Sequence, residues 1–195
     1  MAVRDCSWIL TTAGKQEFPN IRDDNFKCSS DRTGDLPCWG YNCIAWAAGK
    51  TDKWWWPVAD DPCAFWPIPI DPIDPVTLPQ FIKAFESEGY RECPNGNYEN
   101  ESEKVAIYVD GAGEPTHAAR LLPSGIWASK MGRMEDIEHE TYQAVEGKKY
   151  GTAKAFLKRR NPLFQKPSLR KKWLSRQGEF LRALLKRFFP TANKN

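Results

Sequence analysis

Apolar residues change their spacing along this chain, and each change marks an element. The run CIAWAAG at 43–49 is apolar and Ala-rich, lacks proline and closes on a glycine suited to a left-handed turn, which predicts a short buried helix. Between 54 and 75 the segments WWWP and PCAFWPIPIDPIDP place prolines every two or three residues. That spacing forbids a helix or a central strand and predicts an extended loop. A second helix starts near Thr77: Thr77 and Gln80 have capping-box spacing, Pro79 suits the first turn, Phe81, Ile82 and Phe85 form an apolar stripe, and Gly89 stops it. Beyond a polar loop at 94–103 the period falls to two. Val105, Ile107 and Val109 alternate with other residues, strands over 116–122 and 126–131 follow across turns at 110–115 and 123–125, and 150–157 reads as a fourth strand. Residues 1–40, rich in turn formers around an apolar anchor at 8–10, read as irregular backbone over a core. Helices followed by an antiparallel meander give an α+β class.

Composition adds a division of the chain. Of 195 residues, 41% are hydrophobic and 13% aromatic, enough for a packed interior and too many for a disordered chain. No uncharged apolar run approaches the roughly 18–20 residues of a membrane-crossing helix, so none is expected. The first residues lack the basic start and apolar core of a secretory signal, which predicts a cytoplasmic protein. The formal net charge of +3 hides a split: residues 1–150 carry 15 Lys and Arg against 24 Asp and Glu, whereas residues 151–195 carry 13 against one. Two parts follow, an α+β domain over 1–160 and a basic tail over 161–195. Within the tail, Leu169, Trp173, Phe180, Leu181, Leu184, Leu185 and Phe188 share a stripe among Arg and Lys, which predicts a basic amphipathic helix at 168–189. Such a helix suits a protein partner's groove, an anionic surface or the acidic body of its own chain. Nucleic acid is disfavoured, because no reading module accompanies the charge.

Six cysteines could form three disulfides, but a domain large enough for a core in a reducing compartment predicts buried thiols instead. Zinc is not expected: there is no CxxC, Cys38 and Cys43 have four residues between them, and His117 and His139 lie far downstream. No cofactor is expected either. Cys43 opens the first helix, where free backbone N–H groups and the helix dipole favour thiolate. His117 shares a strand face with Ala119 and Leu121, so its imidazole points with apolar neighbours. A thiolate at a helix start facing such a histidine suits nucleophilic attack on an acyl carbon.

The stretch YNCIAWAAG at 41–49, THAA at 116–119, WASKMG at 127–132 and DIEH at 136–139 resembles the compact amidase and peptidase branch of the papain-like superfamily, which includes the CHAP-type amidases. More narrowly, the chain is similar to an uncharacterised bacterial family with a Tyr-Asn-Cys-x-x-Trp-Ala helix, a WWWP loop and a His-Ala-Ala, Ser-Lys-x-Gly, His strand series. The resemblance spans about residues 38–158. It implies a cysteine-bearing helix packed on an antiparallel sheet, and a thiol protease or amidase hydrolysing a peptide, isopeptide or related amide. Cys43 is then the nucleophile and His117 the general base and acid. For the third residue Asp136 suits the orienting role as a carboxylate, with Ser129, Lys130 and His139 as alternatives; strand alternation lets only one of Ser129 and Lys130 face the site. The Cys43 backbone N–H, helped by the Asn42 or Tyr41 side chain, would hold the oxyanion. Trp54 and Trp55, with Trp46 and Trp56, would wall a substrate groove that Lys130 also reaches. The competing reading is an inactive papain-like module that binds a protein partner through its aromatic loop and basic tail.

Overall fold

The central sheet grows from the meander the spacing predicts, extended by strands that the spacing does not announce. In the computed structural model, residues 6–29, 40–58, 61–69, 75–132 and 134–161 are described. The strands are β1 (Phe26–Cys28), β4 (Arg91–Cys93), β5 (Ser102–Val109), β6 (Pro115–Leu121), β7 (Trp127–Lys130), β8 (Asp136–His139) and β9 (Thr152–Arg160). They form one antiparallel sheet in the order β1-β8-β7-β6-β5-β9-β4. The helices are α1 (Thr12–Glu17), α2 (Cys43–Ala47) and α3 (Leu78–Ser87). The class is α+β.

Strand alternation divides the sheet into two buried faces. Ala106, Tyr108, Ala119, Leu121, Trp127 and Ile137 face one core, which the N-terminal segment and the turn before β9 cover with Ile9, Phe18, Val145 and Tyr150. Val105, Ile107, Ala118 and Leu157 face the other, which α2 and α3 cover with Ile44, Ala47, Phe81 and Phe85. Both faces being dry explains why β5 is buried from Val105 to Val109 without a polar side.

The helices around Cys43 and Thr77 form where the sequence places them. Asn42 caps α2, its Oδ1 accepting from the Ala45 N–H at 3.0 Å, and the Gln80 side chain accepts from the Thr77 N–H at 3.0 Å as a capping box requires. In the proline-rich stretch the only described pairing is a two-residue parallel bridge of β2 (Trp54–Trp55) with β3 (Ala64–Phe65). Residues 6–29 are more regular than composition suggests. A 3₁₀ turn at Ser7–Leu10 runs into α1, capped by Thr11 Oγ1 on the Gly14 N–H at 3.2 Å, and β1 then joins the sheet edge against β8. β8 escapes the sequence reading because Asp136 and Glu138 alternate with Ile137 and His139, and Asp136 is itself buried.

Not all of the expected thiols are free. Cys6 and Cys28 form a disulfide, and Cys63 is also disulfide-bonded, while Cys43 and Cys93 are free. The 3₁₀ turn and β1 run side by side with a Cα–Cα distance of 5.9 Å, inside the range a bridge spans. Core size therefore did not decide the state of these cysteines; proximity did.

Gly151 makes the closest backbone approach. It sits at φ +71°, and a side-chain carbon there would run into the carbonyl of Val109. This lets the turn before β9 pass over the end of β5 and sets Tyr150 beside β6. β9 ends at Arg160, and Asn161 donates its backbone N–H to Glu101 O at 2.8 Å. The basic helix expected at 168–189 lies outside the described residues. Among the described residues no helix is long and apolar enough to cross a membrane, and no group of three or more His, Cys, Asp or Glu is placed to hold a metal ion.

Candidate active site

Cys43 begins α2, which packs over β6 and β7 on one face of the sheet. Its side chain reaches the rim where β6 starts. The backbone amides of Ala118, Ile44 and Cys43 itself favour a thiolate there, as does the Lys130 charge. Burial outweighs them and pushes the thiol up to about 11. The expected activation by the helix is thus reversed in the resting protein. α2 has only five residues, so its dipole is short, and the sulfur sits in a dry environment.

His117 is fully buried on the opposite face, cross-strand from Tyr108 and stacked on Tyr150 with ring centroids 3.9 Å apart. A chain of hydrogen bonds fixes its tautomer. The carbonyl of Thr141 can only accept, so His139 Nδ1 carries a proton and donates to it at 2.8 Å. Burial lowers His139 to about 4, so the ring is neutral near pH 7 and its Nε2 is an acceptor. The Ser129 hydroxyl therefore donates to His139 Nε2 at 2.9 Å and accepts from His117 Nε2 at 3.0 Å. That leaves His117 Nδ1 as a bare lone pair. It is buried and, among the described residues, makes no hydrogen bond, to Cys43 or to any other group.

His117 is held well below its usual range, first by burial and then by the neighbouring His139. The sign of the linkage is set by the unfolded chain, which binds a proton at each histidine as pH falls below about 6.5, whereas the native His139 ring resists until pH nears 4 and the native His117 ring also stays neutral well below its usual range. Stability carried by the two neutral rings is complete above pH 6.5 and is expected to fall below it by roughly 1.4 kcal/mol per pH unit for each ring. The chain has two histidines, so imidazole proton NMR from pH 8 to 5 reads them directly. A midpoint near 6.5 for either would contradict the buried chain.

The structure redistributes the other expected site residues. Ser129 stands at His117, where Asp136 was expected. Asp136 alternates to the other face, accepts from the Tyr41 hydroxyl at 3.0 Å and lies 3.5 Å from Lys130 Nζ. It cannot orient the imidazole from there. Lys130, fully buried, also donates to the Met134 carbonyl and is a structural cation rather than a groove residue. Tyr41 is stacked on Trp46 and bound to Asp136, and so offers no oxyanion donor. Asn42 is committed as well: besides capping α2 it accepts from Trp55 N at 3.2 Å and donates to Trp55 O at 2.6 Å. That pins Trp55, 1% exposed and packed on Phe65, into the core. Trp54 does line the cavity beside Cys43, as does Trp56.

That cavity, about 850 Å³, opens at the rim shared by both faces of the sheet. Asn42, Cys43, Trp54 and Trp56 line it from one side, Trp8, Phe18 and Tyr150 from the other, and Thr116, Met131 and Gly132 at the strand ends. Tyr150 links the two chemistries, stacking on His117 while lying close enough to Cys43 for a thiolate charge there to raise its phenol. In the sequence Tyr150 reads only as the start of a strand. No local signal distinguishes it, because its place depends on the turn that Gly151 allows.

Residues 31–158 match the family model DUF7689, described as a domain of unknown function. The chain belongs to this family. The match takes in Cys43, His117, Ser129, Asp136, His139 and Tyr150, and leaves the N-terminal wall of the cavity, Trp8 and Phe18, outside it. No curated protein and no solved structure matches the chain.

Proposed function

We propose that this protein is a thiol hydrolase that cleaves a peptide, isopeptide or related amide through Cys43 and His117, on a scaffold related to the compact papain-like amidases and peptidases. The observation that carries the reading is the hydrogen-bond chain behind His117. Thr141, His139 and Ser129 hold the imidazole in the tautomer whose Nδ1 can take a proton, and the residue after it, Ala118, presents its amide to the Cys43 sulfur.

In the proposed reaction His117 Nδ1 takes the thiol proton as the sulfur attacks the carbonyl carbon. The C–N bond breaks, the same proton passes to the leaving nitrogen, and an acyl thioester remains on Cys43. Water, deprotonated by His117, then attacks the thioester and releases the acid and the free thiol. Thiol and imidazole both rest neutral, so proton transfer accompanies attack instead of preceding it as a stored ion pair. The Cys43 backbone N–H remains the oxyanion donor next to the nucleophile. The basic tail would hold the enzyme on a protein partner or an anionic surface. A disulfide persists where the surroundings are oxidising, so the Cys6–Cys28 bridge weighs against the cytoplasmic placement.

The inactive module is the second reading, favoured by the raised Cys43 thiol and by the lack of a hydrogen bond between Cys43 and His117. Cys93, half-exposed and also free, is a built-in comparison. Treatment with chloroacetamide at pH 7 and peptide mapping should find Cys43 labelled faster than Cys93 despite its burial, with the excess lost in His117→Ala. Labelling of Cys93 alone would favour the module.

A further inference from the structure

The cavity beside Cys43 has one wall that the catalytic elements do not supply. Trp8 and Phe18 come from residues 6–29, a segment outside the family match, yet it is tied across the sheet edge at many points. Trp8 Nε1 donates to Glu135 Oε2 at 3.1 Å, Asn20 Nδ2 to Gln143 O at 2.9 Å, Glu140 N to Asn25 O at 3.1 Å and Ser29 N to Asp136 O at 2.8 Å. The Cys6–Cys28 bridge closes the segment on itself. A wall anchored in this way is pre-formed, so little ordering cost falls on a ligand that fits against it.

Its chemistry is selective. Trp8 and Phe18 meet edge to face at 6.3 Å, and Trp54, Trp56, Met131 and Tyr150 complete a surface of rings and thioether. Among the described residues at the cavity, Glu17 and Lys149 are charged and opposite in sign. A volume of about 850 Å³ exceeds what a single methyl or propyl group fills and suits a ring with its flanking backbone. Aromatic faces and methionine sulfur both attract rings, and an ionised side chain set against those faces would lose its water without gaining a hydrogen bond from them.

We infer that the N-terminal segment is the specificity wall of the site, with Trp8 as its central residue, and that it selects amides that carry an aromatic side chain. This rests on the reading of Cys43 as the nucleophile, but binding can be measured without the sulfur. Full-length Cys43→Ala protein should bind N-acetylphenylalaninamide more tightly than N-acetylaspartamide in calorimetry. Adding Trp8→Ala should weaken the aromatic ligand about tenfold or more, the scale on which apolar pockets discriminate. Trp8→Phe, which keeps a ring and drops the hydrogen bond to Glu135, should restore most of the loss, and circular dichroism checks that each variant is folded. Equal binding of the two amides, or a folded Trp8→Ala protein that binds the aromatic amide undiminished, overturns the inference whatever Cys43 does. Aromatic preference without labelling of Cys43 would instead sink the hydrolase reading and leave the recognition wall standing.

Discussion

Replacing His117 with alanine is expected to slow amide hydrolysis by about a hundredfold to ten-thousandfold, the contribution of a positioned general base. The size follows from the resting state. Burial holds the Cys43 thiol near 11, so almost no thiolate exists at neutral pH without a base to take the proton, and the backbone amides around the sulfur do not offset that cost. The proposed reaction gives that task to His117 Nδ1, a buried nitrogen with an open lone pair. The substitution also removes a ring stacked on Tyr150, so loss of packing alone could lower activity. Added imidazole separates the two explanations. The ring-shaped space left between Tyr150 and Ser129 should accept free imidazole and recover part of the rate, whereas a purely structural role would show no recovery. A variant that keeps full activity against an aromatic amide would end the proposal of a Cys43–His117 pair.

Ser129→Ala should carry the second largest effect, and it should appear in stability as well as in rate. The hydroxyl is both acceptor for His117 and donor for His139, so its loss strands two buried polar atoms at once. Each stranded group costs about 1–3 kcal/mol, which predicts a clear drop in the urea midpoint. Freed from Ser129, His117 can place its proton on Nδ1, the wrong nitrogen to protonate in the proposed base. Turnover should therefore fall while binding of an aromatic amide persists, a split between kcat and KM that simple loosening of the site would not give. Ser129→Thr keeps the hydroxyl on a strand that suits a β-branched residue and should recover much of both losses. Full activity in Ser129→Ala, with the fold intact, would show that the chain behind His117 does not hold its tautomer.

Comparison of Ser129 with Asp136 shows where sequence reasoning stopped. A carboxylate is the usual partner for an imidazole, and Asp136 lies in the DIEH stretch with His139. The pairing of Lys130 with Asp136 turns both of these side chains to the face that carries α2, while Ser129 pairs with Ile137 and turns with His139 toward His117. One step of register exchanges the two outcomes, and register is not written in either strand alone. Asn42 shows the opposite case. Its role as a helix cap is local, three residues from the N–H it accepts, and so was legible; its grip on Trp55, thirteen residues on, was not.

By itself the sequence determined the short helix that opens at Cys43, the capped helix after Thr77, and the alternation that sets His117 on one strand face with Ala119 and Leu121. These depend on neighbours within four residues, where backbone geometry fixes which side chains share a side. Only the tertiary structure decided that burial raises the Cys43 thiol, that Ser129 and His139 stand behind His117, that Cys6 meets Cys28, and that Trp8 faces Cys43 across a cavity. Each of these joins residues from elements distant in the chain, and each depends on how much water the assembled layers exclude. Burial is a property of the packed sheet and its two covers, and it exists for no segment taken alone.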